Sequence, residues 1–292
     1  MSASTLGIPN TGTHLVLLGT VAGPVLHPTR MMASNALVVD GAVYIFDCGY
    51  GAITRFAATG LRFADMRAVF ITHHHSDHNA DYANLIHLAW IQGMTRQVKV
   101  IGPPPISRIH NAAIEFHSED FDIRIRATGR KPPSDSFYVT EISKPGLIFE
   151  DEHVRVTCAL VNHPPFKHAF AFRIDTADRS IVLSGDTSPS QTLVELAKGA
   201  NLLVHEAMYE PGIDAMLAQR PYIPPGLRDF LVGGHTNAQD CGRIAARAGV
   251  DTLALTHLLP SDDQLVPDDV WRAEVAQHYT GNIIIGRDLM VL

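Results

Sequence analysis

Cysteine is scarce in this sequence: three residues in 292, at Cys48, Cys158 and Cys241, each standing alone. That excludes a disulfide framework and a CxxC metal or redox site. Positive charge is the minority, since 23 Lys and Arg face 30 Asp and Glu for a net charge of −7. An acidic chain lacks the basic footprint that phosphate backbones attract, so nucleic acid is not expected as a partner. No apolar run reaches the roughly 18 residues a membrane helix needs. The apolar piece 15–26 is broken by Gly19, Gly23 and Pro24 and reads as strand and loop. Residues 1–13 are polar and lack a basic start, so no signal peptide is read and a cytoplasmic location is expected. Low-complexity stretches are missing too. With 46% hydrophobic residues, what remains is a globular chain long enough for a large core. Histidine is present in excess, with 16 residues, and where they cluster matters.

Strands and helices alternate along the chain. Asn35–Val39 and Val43–Phe46 are apolar and β-rich, and Asp40-Gly41 between them signals a tight hairpin turn. His14–Leu18, Ala68–Thr72 and Val98–Ile101 read as further strands. From about Asp77 a helical pattern sets Tyr82, Leu85, Ile86 and Ala89 on one face. The stretch 107–131 begins as a helix and then alternates Ile and Arg, and the basic cluster Arg124, Arg126, Arg130 and Lys131 reads as a solvated strand edge, the alternative being a nucleic-acid or anionic-substrate contact. In the second half, Val154–Val161, Ala169–Ile174, Ser180–Ser184, Leu202–Val204 and Thr252–Thr256 read as strands. A helix is expected over 237–248, with Gly249 just past its end, and a closing hairpin over 282–292. The segment 210–233, rich in Pro, is either a substrate-covering loop or a surface excursion or dimer contact. The pattern favours a single α/β domain, 1–292, of two similar halves, each a sheet with helices outside. The alternative is two domains split near 135–150.

Thr72-His73-His74-His75-Ser76-Asp77-His78 follows a buried strand. Imidazole and carboxylate suit zinc among first-row metals. An extended backbone points His73 and His75 to one side, while Asp77 and His78 sit where the next helix begins. Two adjacent metals could be served, one by each pair. Further candidates stand at other strand ends: His163, Asp186 and His257. Strand ends are where an α/β scaffold gathers site residues.

The pattern H-x-H-x-D-H with a distant His, Asp and His resembles the metallo-β-lactamase superfamily, over nearly the whole chain. The resemblance implies a four-layer αββα sandwich with a dinuclear zinc site, although Mn2+ or Fe2+ would also suit the donors. It implies that His73, His75 and His163 bind one zinc, that Asp77, His78 and His257 bind the other, and that Asp186 bridges both. Leu17-Leu18-Gly19-Thr20, Val204-His205-Glu206-Ala207 and Gly234-His235-Thr236 are similar to the ribonuclease Z-like branch, where the histidine matching His235 donates a proton to the leaving group. His205 with Glu206 would pair to orient His235 or a ligand. In tRNA-processing members a long arm intervenes between the residues matching His163 and Asp186; here 22 residues do. With the negative charge, this shifts the expectation to the arylsulfatase-like subgroup, which His73–Tyr82 and Ala89-Trp90 also resemble. The expected protein is a dinuclear zinc hydrolase of small, anionic esters, with a metal-bound hydroxide as nucleophile, Asp77 in the catalytic set and His235 as general acid. Alternatives are a ribonuclease Z-like phosphodiesterase or nuclease, a lactonase or carboxylic-ester hydrolase, and a non-catalytic metal-binding protein on the same fold. No membrane partner is expected; a homodimer is what the resemblance alone implies, because members of this branch are commonly dimers.

Overall fold

The computed structural model describes residues 6–94 and 96–292, so the start of the polar stretch read for targeting lies outside the described residues. Among the described residues, no helix is long and apolar enough to cross a membrane. The chain forms two compact units. The first takes the described residues through Gly19, then Met31–Ser143 and Asp288–Leu292; the second takes Thr20–Arg30 and Lys144–Arg287. One crossing, at Ser143–Lys144, falls in the 135–150 window.

The first unit contains β1 (Thr13–Gly19), β2 (Ser34–Val39), β3 (Ala42–Phe46), α1 (Ala52–Thr59), β4 (Met66–Phe70), α2 (Ser76–Asn79), α3 (Tyr82–Ile91), β5 (Val98–Gly102), α4 (Ile106–Phe116), α5 (Ser118–Thr128) and β6 (Phe137–Glu141). The strands pair in sequence order, antiparallel from β1 to β3 and parallel from β3 to β6. The β2–β3 hairpin forms as expected because Asp40 and Gly41 both take positive φ, 48° and 82°, which the tight turn requires. Val43, Ile45, Val69 and Val100 bury one sheet face under Phe56 of α1, Leu85, Ile86 and Ala89 of α3, and Ile106 of α4.

Several expectations change here. Residues 118–128 are helical, so the Ile–Arg alternation does not lie on a strand edge. Phe121 and Ile125, four apart, turn one face inward. Arg124 pairs with Asp120 at 2.7 Å across a helical turn, and acids open the helix while Arg126 closes it. No strand is expected between 131 and 154, yet Gly146–Glu150 forms a strand of the second unit, and in the first unit β6 is there. It is an edge strand with exposed positions, so its apolar signal is weak.

The second unit contains β7 (Gly146–Glu150), β8 (Arg155–Leu160), β9 (Phe170–Asp175), β10 (Ser180–Leu183), α6 (Gln191–Ala197), β11 (Leu202–Met208), α7 (Glu210–Ala218), α8 (Leu227–Gly234), α9 (Ala238–Ala248), β12 (Thr252–Leu259), α10 (Asp268–Ala276) and β13 (Asn282–Ile285). Its sheet runs β13-β12-β11-β10-β9-β8-β7, parallel from β13 to β10 and antiparallel beyond. The 237–248 helix is as expected: Asn237 caps Gln239 N–H, and Gly249 ends the helix in the left-handed region. The segment 210–233 is mostly helical, and Ile213 and Leu217 of α7 bury against Met208 and Leu259. The closing hairpin is corrected. β13 runs parallel to β12, whereas Met290 and Leu292 bond to β1 in the first unit, through Leu17 N–H and Leu15 N–H at 3.0 Å each.

Candidate metal centre

In the first unit, β4 ends at Phe70 and the Thr72 N–H turns to a side chain, the Asp47 carboxylate, at 2.8 Å. That carboxylate organises the histidine-rich turn. Thr72 Oγ1 donates to it at 2.9 Å and lies 3.0 Å from His73 Nδ1. With its proton committed to Asp47, the hydroxyl accepts from His73 Nδ1–H, which leaves the lone pair on His73 Nε2. Asp47 Oδ2 also takes His78 Nδ1–H at 2.8 Å, so His78 likewise presents Nε2. A carboxylate that fixes a histidine tautomer in this way is the usual outer support of a metal ligand. His73 Nε2 lies 3.0 Å from His75 Nδ1, close to the ligand spacing on a tetrahedral ion with bonds of about 2.0–2.1 Å. Asp77 Oδ2 stands 3.7 Å from His78 Nε2. His73, Asp77 and His78 are buried. His74 turns away: its Nε2–H donates to Pro103 O at 2.8 Å, and burial lowers its pKa. Asp47 was not a candidate from the sequence. The signal was there, a carboxylate closing the apolar strand β3, but its partners lie 25 and 31 residues on.

In the second unit, His163 follows β8. Its Nδ1–H donates to Gly234 O at 2.8 Å, which leaves Nε2 facing Asp186 Oδ2 at 3.7 Å. Burial pushes the His163 imidazole below the usual histidine range, favouring the neutral ligand form. His257 Nε2 lies 3.3 Å from the same Asp186 oxygen. His257 sits inside β12 rather than after it, and its φ is +45°. The β11–β12 register steps from Glu206–Thr256 to Ala207–Leu258, so His257 is the extra residue of a bulge that re-aims its side chain. Glu206 Oε1 accepts from Thr187 N–H at 3.0 Å and Thr236 N–H at 3.2 Å, and meets His235 Nδ1 at 3.2 Å. The His235 ring lies 5.5 Å from that of His257, centroid to centroid. His205 does not join this group. Strand alternation sends it to the opposite face, where Nδ1 donates to Glu206 O at 2.6 Å and Cys241 Sγ lies 3.7 Å away. Burial pushes His205 down and the Cys241 and Cys48 thiols up, so all three stay neutral and inert.

Each unit therefore carries imidazole nitrogens and carboxylate oxygens of the kind that suits a divalent cation, with no thiolate among them. Such donors on such a fold define a metal-dependent hydrolase. A sequence-family profile described as "Anti-Pycsar protein Apyc1" matches residues 13–239. Ribonuclease Z of Mycobacterium marinum is 32% identical over 283 residues, covering 94% of this chain and 96% of that protein. Ribonuclease Z of Mycobacterium sp. (strain KMS) is 34% identical over 280 residues, covering 94% of each. Among solved structures, human tRNase Z, short form, superposes with a TM-score of 0.70 at 21% identity over 96% of this chain and 98% of that one. The metallo-β-lactamase fold protein YhfI of Bacillus subtilis gives 0.69 at 20%, over 96% and 99%. The fold is thus the αββα metallo-β-lactamase class expected from the motif. The chain belongs to the metallo-β-lactamase superfamily, in its ribonuclease Z-like branch and the Apyc1 family. These likenesses support the branch without singling out its arylsulfatase-like subgroup.

They also overturn one expectation. Nucleic acid was set aside on the net charge of −7 and the short 163–186 segment, yet the relatives that match nearly end to end are ribonucleases Z. Net charge sums the whole surface and does not report the local field at the reacting phosphate, where bound cations would dominate.

Proposed function

We propose that this chain is a dinuclear zinc phosphodiesterase of the ribonuclease Z kind, acting on RNA. The observation that carries the reading is the end-to-end likeness to ribonuclease Z at 32% identity. In this reading the two units form one hydrolase domain, since neither holds a full ligand complement. His73, His75 and His163 would hold one ion, Asp77, His78 and His257 the other, with Asp186 shared. When bound, two such ions neutralise phosphate charge and make water nucleophilic near neutral pH. Asp47 and the Gly234 carbonyl keep His73, His78 and His163 in the ligating tautomer. His235, held through Nδ1 by Glu206, protonates the departing ribose oxygen from Nε2.

The test is a paired assay on metal-analysed protein: bis(4-nitrophenyl) phosphate and a tRNA precursor against 4-nitrophenyl sulfate, with Asp186→Ala as control. Phosphodiester and RNA cleavage lost in the control support the proposal. Sulfate turnover alone would replace it with the arylsulfatase-like reading. Two bound metals with neither activity would move the assignment to lactones and carboxylic esters.

A further inference from the structure

A cavity of about 530 Å³ opens in the second unit between the loop 21–27 and helices α7 and α8, a size typical of small-molecule sites. Val25, Leu26, Met216, Phe230, Leu231 and Leu259 are among the apolar residues of its wall, and none of them is a ligand candidate. Leu26 is 75% exposed, and Val25 and Phe230 are about half exposed at 48% and 47%. Folding has thus left apolar side chains in water on both sides of one hollow. The loop is not there by slack. Val21 bridges to Leu258, Ala22 N–H donates to Ser261 Oγ at 3.3 Å, and beyond the tip the buried Arg30 is fastened to Asp263 at 2.7 Å and to Gly286 O at 3.0 Å. Both feet are pinned, so the Val25-Leu26 tip is held at the cavity mouth.

The polar side chains lining the cavity are His27, Gln219, Arg220, Ser261 and Asp262. Arg220, just past α7, has Met216 Sδ at 4.0 Å as its guanidinium's neighbour and makes no ion pair among the described residues. His27 accepts the Thr29 and Arg30 N–H groups on Nδ1, at 3.3 and 3.1 Å, so its Nε2 carries the proton. The one acid of the lining, Asp262, is engaged with Gln264 N–H at 2.8 Å. An apolar hollow with an uncompensated guanidinium is complementary to an apolar chain ending in an anion. We propose that this cavity is a binding site for a small anionic amphiphile of the medium-chain carboxylate class, with the chain between Leu26 and Phe230 and the carboxylate on Arg220. The site is independent of the phosphodiesterase reading.

Isothermal titration of the full chain with decanoate, below its micelle concentration, tests this, with 1-decanol as the uncharged comparison. Decanoate is expected to bind one per chain and about tenfold more tightly than decanol, the size of one charge-assisted hydrogen bond. Arg220→Gln should bring decanoate to the decanol level and leave decanol unchanged. Phe230→Asp, a surface change, should abolish both. Hydrogen exchange should slow in 21–27 and 227–234 when decanoate is added. Equal binding of the two probes, indifference to Arg220→Gln, or no saturable binding would overturn the proposal. So would a wild-type dimer that ignores decanoate and dissociates with Phe230→Asp, because a second copy would then be the occupant. No readout depends on phosphodiester turnover.

Discussion

Asp47 acts through the two histidines it orients. It accepts a hydrogen bond from His78 Nδ1–H directly and controls His73 through the Thr72 hydroxyl. Asp47→Asn keeps the shape and removes the charge, so the chain should fold and bind zinc about 10–100-fold more weakly, read by competition with a chromogenic chelator. His235, the proposed general acid, makes a different demand. A general acid is worth roughly 10²–10⁴ in rate, and most where the leaving group is poor. His235→Ala should therefore slow an alkyl phosphodiester far more than a 4-nitrophenyl one. Equal losses on both would remove the proton-donor role. Glu206→Gln should show the same leaving-group bias in weaker form, because the ring stays but its orienting charge is gone.

The elements succeed where two backbones come unusually close. Gly49 follows β3, and a Cβ there would lie 2.1 Å from Asp77 O and 2.9 Å from Ala33 O, both backbone atoms that cannot rotate away. Gly49→Ala should therefore push the α2 turn that carries Asp77 and His78. The expected cost is about 1–3 kcal/mol, the range for overpacking, seen as a lower melting temperature together with weaker metal binding. A variant that melts as the wild type does and binds metal unchanged would show that the contact relaxes freely. The bulge at His257 is the matching device in the second unit. One extra residue in β12 turns a side chain that regular alternation would have aimed elsewhere.

On the scale of the molecule, buried histidines contribute to acid sensitivity. Burial lowers the pKa of His110 and His205 below their usual 6.5. The folded chain keeps them neutral where the unfolded chain takes up protons, so stability holds above pH 6.5 and is lost as pH falls below it. Calorimetry on metal-free protein from pH 8 to about pH 5 should show the melting temperature flat at first and then declining. Restoring zinc should raise it with metal concentration, as for any ligand that binds only the folded state. If RNA is the substrate, salt should raise KM for RNA and leave bis(4-nitrophenyl) phosphate nearly unchanged, because only the polymer releases many counterions.

Much of this could be read along the chain because it is local. His73, His75, Asp77 and His78 lie within six residues of one another after an apolar strand, and His163 and Asp186 also follow strands, so residue type and strand-end position were enough to mark them. The Asp40-Gly41 hairpin and the Asn237–Gly249 caps were legible for the same reason. The Ile–Arg run at 123–126 was not, because its pattern fits a strand's period and only the packing of Phe121 and Ile125 selects the helix. Strand β6 escaped because an edge strand need not be apolar on both faces. Sequence by itself determined which side chains could ligate a metal and where chain reversals fall, since both depend on neighbours in the chain. Tertiary structure alone decided that Asp47 orients His78, that Glu206 rather than His205 reaches His235, and that residues 289–292 leave β13 for β1. Those outcomes rest on hydrogen bonds between distant segments, whose geometry exists only once the sheets have formed.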